Sequence, residues 1–272
     1  MKKYSIWGLG ALLLISTLPT ISWVSARKSQ LQFFDNQADS ASAKVPLITF
    51  STTQLFDQFV NSIYSQAGLE ATGLDASVFR KALVGYYNFK KTQLISPERQ
   101  ILTIIDFNRK SSQKRLWIVD LADNKLLFNT LVAHGQGSGG DMATNFSNLT
   151  DSHQSSLGFY ITSETYFGKH GFSMKLEGMD KGFNTNARDR AVVVHGADYV
   201  SQSFINQHGR LGRSHGCPAL PVELTNTIIN TIKGQTCLFI NGPESNYNSN
   251  YLDQDLAVSN FISEDNTLKA SI

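Results

Sequence analysis

The 272 residues carry 24 Lys and Arg against 22 Asp and Glu, a formal charge of +2. The first 26 residues hold two of the lysines and no acid, which leaves the remainder balanced at 22 of each. That balance excludes a polyanion such as nucleic acid as the expected partner, and the length suffices for one sizeable core with appendages.

The chain opens with Lys2-Lys3, an apolar run from Ile6 to Leu18, a break at Pro19, and Val24-Ser25-Ala26. A positive start, an apolar middle and a small-residue site read as a secretory signal peptide over 1–26. The competing reading is an uncleaved anchor through Val24, which would keep the chain near a membrane, but the apolar run is shorter than the ~20 residues a span needs. Residues 27–50 are rich in Ser, Ala and Gln and read as a flexible linker.

Two helical patterns follow. Leu55, Phe56, Phe59 and Ile63 share one face of a helix predicted over 53–66, ended by Gly68. Asp75 is the N-cap of a second, with Val78, Phe79, Ala82, Leu83 and Tyr86 on one stripe. From Gln100 the period changes to that of strands, at 101–107, 115–121, 125–133, 156–163, 172–176, 191–194 and 236–240. Leu224, Ile228, Ile229 and Ile232 line the inner face of a helix predicted over 221–233. Beyond Gly242 the chain is Asn- and Ser-rich and reads as a loose C-terminal tail over 243–272. Many short strands with few helices argue a mainly β sandwich or barrel-like core.

The chemistry concentrates between Arg190 and Pro221. Ala191 to Val194 is a β-branched run that reads as a buried strand and delivers His195 to its end, where Gly196 lets the backbone turn. Further on, Arg213-Ser214-His215-Gly216-Cys217-Pro218 is too rich in Gly and Pro for a helix, so a loop presents the thiol. A cysteine is only a few per cent thiolate at neutral pH, and a neighbouring imidazole raises its reactivity. Cys217 is thus a candidate nucleophile and His195 a candidate base. The N–H groups of Gly216 and Cys217 are candidates to cradle an oxyanion, the Gly196 carbonyl to fix the His195 tautomer, and His215 to orient or merely to support the loop.

Other patterns compete with this one. Gly135 to Gly140 satisfies G-x-G-x-x-G after a strand, but a dinucleotide site needs a helix to begin there, and Asp141 to Ser152 is polar and turn-like. A flexible loop beside the active cleft is the expectation. The six histidines include no H-E-x-x-H, and His208 and His215 have no obvious third ligand, so no metal and no cofactor is expected. His134, His153 and His170 read as hydrogen-bonded residues at loop edges. The two cysteines of an exported chain would ordinarily suggest a disulfide, but Cys237 lies inside an apolar strand, where a thiol behaves as a small hydrophobe.

His195-Gly196 followed at a distance by Ser214-His215-Gly216-Cys217 resembles the signature of the L,D-transpeptidase (YkuD-like) catalytic domain family, in its divergent murein L,D-transpeptidase-like branch. The likeness extends loosely over 101–240. Two departures stand out: a longer spacer between the halves, and Pro218-Ala219-Leu220-Pro221 where an aliphatic residue and then Arg or Asn are usual. The resemblance implies that His195 is the base and Cys217 the acylated nucleophile, on an L,D-transpeptidase-like β core over 96–242, with residues 51–95 as a helical appendage. It also implies peptidoglycan stem peptides as substrate, cleavage between the L-centre of diaminopimelate and D-alanine, a 3→3 cross-link as product, and a place in the periplasm or cell envelope. Arg210 and Arg213 flank the loop as candidates to hold substrate carboxylates, or are solvated. The same residues would serve an L,D-carboxypeptidase using water, and a wall-binding module without catalysis would share the fold.

Overall fold

The computed structural model describes residues Phe50–Glu264. The signal peptide expected over 1–26, and all but the last residue of the linker, lie outside the described residues.

Two helices come first. α1 (Thr52–Gln66) begins with a capping box in which Ser51 and Gln54 exchange side-chain and backbone hydrogen bonds. α2 (Ala76–Lys91) is capped by Asp75, whose carboxylate accepts from the Ser77 N–H. Eight strands follow: β1 (Ile101–Asp106), β2 (Leu116–Asp120), β3 (Lys125–Thr130), β4 (Gly158–Gly168), β5 (Gly171–Gly178), β6 (Val193–Gly196), β7 (Ala219–Leu220) and β8 (Cys237–Asn241). They form one mixed sheet in the order β3-β2-β1-β8-β4-β5-β6-β7. The mainly β core, the helical pair before it and a helix after the cysteine loop, α4 (Val222–Ile232), are all present.

Alternation along the strands splits the core between the two faces of the sheet. Leu102, Ile104, Trp117, Val119, Phe159, Cys237 and Phe239 face α1 and α2. Ile105, Ile118, Tyr160, Met174, Val194, Leu238 and Ile240 pack with Ile228, Ile229 and Ile232 of α4. Gly85 of α2 is where the first layer closes most tightly: a Cβ there would stand 2.1 Å from the Phe159 ring. That ring is stacked on Phe239 and edged by Phe89, so it cannot swing away. Gly85→Ala gains about 1 kcal/mol of helix propensity. Overpacking costs about 1–3 kcal/mol, and with so severe an overlap a net destabilisation and a lower Tm in thermal unfolding are expected.

Several elements depart from expectation. The tail expected to be loose is ordered over its described part: α5 (Gln254–Glu264) buries Ala257, Val258 and Phe261 against α1 and α2. Asn88 of α2 ties it down, donating to the Tyr251 and Asp253 carbonyls. The strand expected to stop at Ser163 continues to Gly168 and pairs with β5 as a long hairpin, whose register shifts between Thr162 and Thr165. A short helix, α3 (Gln202–His208), and the two-residue strand β7 were not anticipated.

Candidate active site

β6 and β7 run side by side, with His195 registered on Ala219 and Gly196 on Leu220. This pairing brings the end of the His195 strand against the chain that leaves the cysteine loop. Gly196 does not take a left-handed conformation, as a sharp turn would suggest. A Cβ there would stand 2.6 Å from Thr225 Oγ1, so glycine is required by the close approach of α4.

The His195 ring is almost wholly buried, at 3% exposure. Its Nδ1 lies 2.9 Å from the Gly196 carbonyl oxygen. A carbonyl only accepts, so Nδ1 carries the proton and Nε2 is left with its lone pair. Burial, above all, holds the His195 pKa below the ordinary histidine value; the Gly196 carbonyl opposes this and His170 adds to it.

Cys217 is half-buried, and both cysteines are free thiols. Its Sγ accepts from the Val193 N–H at 3.4 Å and faces the Ala191 carbonyl at 3.6 Å, so the sulfur is anchored on the strand that carries His195. Burial pushes the thiol pKa up, while the Val193 N–H and the positive charge of Arg190 pull the other way. Cys237, by contrast, is sealed in β8, and burial holds it protonated.

The turn before Cys217 is built by Ser214. Its hydroxyl accepts from the Gly216 N–H at 3.0 Å and donates to the Cys217 carbonyl at 2.7 Å. This corrects the expectation for Gly216, whose amide is already used within the turn. The Cys217 N–H has no hydrogen-bond partner among the described residues. Gly216 itself sits at φ +125°, where a side chain would be strained and its Cβ would crowd the Gln154 carbonyl. Ser214→Ala removes both bonds and leaves a buried amide unpaired, at a cost of about 1–3 kcal/mol. The expected result is a lower midpoint in denaturant unfolding and slower alkylation of Cys217.

The glycine loop at 135–140 lies beside the cysteine turn, as expected, but is pinned there rather than flexible. The Ser214 N–H donates to the His134 carbonyl and the Gln136 N–H to the Ser214 carbonyl, while Ser155 Oγ bridges the Gly135 N–H and the Gly216 carbonyl. Only a one-turn helix at Gln136–Ser138 interrupts it, and none begins after Gly140, which removes the dinucleotide reading.

The other expected residues are placed less centrally. The exposed His215 ring stacks on His153 at 4.3 Å. Arg213 donates to the Gly139 carbonyl and Arg210 to the carbonyl of its neighbour Leu211, so both guanidiniums support backbone turns. Arg213 remains half-exposed at the rim. His134 is fully buried, accepts from Arg115 at 2.7 Å, and is depressed to about 4, first by burial and then by that charge. Among the described residues no group of three or more His, Cys, Asp and Glu is placed to hold a metal ion.

Three residues of the site were missed by reading the sequence. Arg190 donates to the Ser147 and Gln154 carbonyls, locking the 147–156 segment against Gly216 with its charge near the thiol. Tyr199 is raised to about 12, by burial first and then by the neighbouring Cys217. His170, from the tip of the β4–β5 hairpin, stacks on His195. Arg190 opens the stretch that carries both motifs, and an arginine just before a buried strand was the available signal. Nothing local pointed to the other two.

The family described as the L,D-transpeptidase catalytic domain matches residues 70–241. No curated protein matches the chain. Similar solved structures include an L,D-transpeptidase from Mycobacterium smegmatis, at 11% identity over 52% of this chain and 58% of that one, with a TM-score of 0.32. Another is an L,D-transpeptidase from Xylanimonas cellulosilytica, at 14% identity, 51% and 58% coverage and a TM-score of 0.30. A third is a fused Zn-dependent amidase/peptidase/peptidoglycan-binding domain-containing protein from Clostridium acetobutylicum, at 12% identity, 57% of each chain and a TM-score of 0.33. The chain spans less than two thirds of each of these three.

Proposed function

The chain belongs to the L,D-transpeptidase catalytic domain family, and from that premise we propose that it is an exported cysteine acyltransferase of peptidoglycan stem peptides, acting in the periplasm or cell envelope. The observation that carries the chemistry is the His195 Nδ1 contact with the Gly196 carbonyl, which leaves Nε2 as an acceptor on the strand to which Cys217 Sγ is anchored.

Burial disfavours both charged forms, so at rest the thiol and the imidazole are both neutral. His195 Nε2 takes the thiol proton as Sγ attacks the carbonyl between diaminopimelate and D-alanine. The Cys217 N–H steadies the oxyanion; a donor of this kind is worth about 2.7–4 kcal/mol. Collapse of the tetrahedral intermediate breaks the C–N bond, His195 returns the proton to the departing D-alanine amine, and a thioester remains on Cys217. The side-chain amine of a second stem then attacks the thioester, giving a 3→3 cross-link and restoring the thiol. Export is supported by Lys2-Lys3, the apolar run to Leu18 and Val24-Ser25-Ala26.

The test is incubation of the secreted protein with purified tetrapeptide muropeptides, followed by mass analysis. Cross-linked dimers with release of D-alanine support the transferase. Tripeptide monomers alone would make the protein an L,D-carboxypeptidase, with water as acceptor. Unchanged tetrapeptide would leave a wall-binding module and overturn the reading.

A further inference from the structure

β5 and β6 pair antiparallel, with Met174 on Val194 and Lys175 on Val193. The register stops there, and the hairpin tip runs on past the end of β6. Gly168 pairs with Gly171, so Lys169 and His170 are the two loop residues of the hairpin, and Gly171 at φ +75° accommodates the turn. The turn itself makes no demand for an imidazole. His170 is nevertheless laid over the His195 ring, with centroids 4.4 Å apart and planes 30° from parallel. An exposed residue thus covers a buried one: His170 is open to solvent, whereas His195 is 3% exposed.

We propose that His170 is a positioning residue that acts through His195, its ring closing one face of the imidazole so that the Nδ1–H stays on the Gly196 carbonyl and Nε2 stays free to accept a proton. The proposal rests on the reading of His195 as the base. Two restraints fix an imidazole better than one. The carbonyl contact opposes rotation about the Cβ–Cγ bond with a single hydrogen bond, and a stacked ring adds a second contact of comparable strength. The cover also keeps water from the ring, in keeping with the depressed His195 pKa, for which burial is the main cause and His170 a lesser one.

The experiment uses the mature protein with ¹⁵N-labelled histidine, and follows the tautomer of His195 by NMR and the alkylation of Cys217 by iodoacetamide at pH 7. In the wild type His195 should give the signature of a single Nδ1–H tautomer. In His170→Ala the two tautomers should average, and alkylation should slow roughly 10-fold, a misplacement effect well inside what small displacements cause. His170→Phe keeps a stacking ring without titrating, and should restore both. An unchanged tautomer and alkylation rate in His170→Ala would overturn the proposal, and so would a loss that His170→Phe does not repair. Failure of the underlying reading is separately visible: His195→Ala would then alkylate as fast as the wild type, whatever the His170 variants do.

Discussion

Cys217→Ala is expected to abolish turnover of tetrapeptide stems, by roughly 10⁴- to 10⁶-fold, the range seen when a nucleophile is removed from an otherwise intact site. The loss should not reflect unfolding. Cys217 is half-buried on a turn held by Ser214, Ser155 and Arg190, none of which bonds to its sulfur. Cys237 is the internal control. It is fully buried in β8, registered on Leu102 of β1 and Ile161 of β4, and its thiol is held protonated. Cys237→Ala should therefore retain activity and lose about 1 kcal/mol of stability. Cys237→Ser should lose more, because it buries a hydroxyl among Leu102, Phe159 and Phe239. Activity assays paired with denaturant unfolding separate the two cysteines.

His195→Ala is expected to leave the fold in place and remove the proposed base. The strand is held by Val192 and Val194 in the core and by its pairing with β5 and β7. Turnover and Cys217 alkylation at pH 6.5 should each fall by about 10²–10⁴, the usual contribution of a general base. The wild-type pH profile carries a sign. The depressed His195 pKa means that the imidazole is already neutral, and able to accept a proton, below the ordinary histidine value. Activity should thus rise with pH through a midpoint under about 6.5 and lose that acid limb in His195→Ala. His215→Ala should cost far less, since its ring stacks on His153 at the surface and the proposed oxyanion donor is a backbone amide that alanine retains.

The sequence is most legible where burial and chemistry coincide. Val193 and Val194 mark β6 because a β-branched run has few other uses, although the strand expected over 191–194 runs Val193–Gly196 and takes in His195. Ser214 to Cys217 marks the loop because glycine and proline exclude a helix. Elements that satisfy neither condition were lost. The outer half of β4 is exposed from Tyr166 to Gly168, so no alternation betrays it. β7 is two residues long and exists only through its pairing with β6. α5 spaces Ala257, Val258 and Phe261 as a helix would, but the Asn- and Ser-rich approach to it hides a stripe that only the docking with α2 explains. Gly216 shows the limit at the site itself. Its position beside the proposed nucleophile suggested a free amide, and only the folded turn reveals that Ser214 has already claimed it. His170 meets His195 only because the β4–β5 hairpin folds alongside β6, a relation no local pattern encodes.

The most direct measurement is peptide mapping of enzyme quenched in acid during turnover of a tetrapeptide stem. The expected result is the tripeptide acyl mass on the peptide that bears Cys217, lost on treatment with hydroxylamine as a thioester would be. The same acyl mass on any other side chain, in an enzyme still forming product, would contradict Cys217 as the nucleophile.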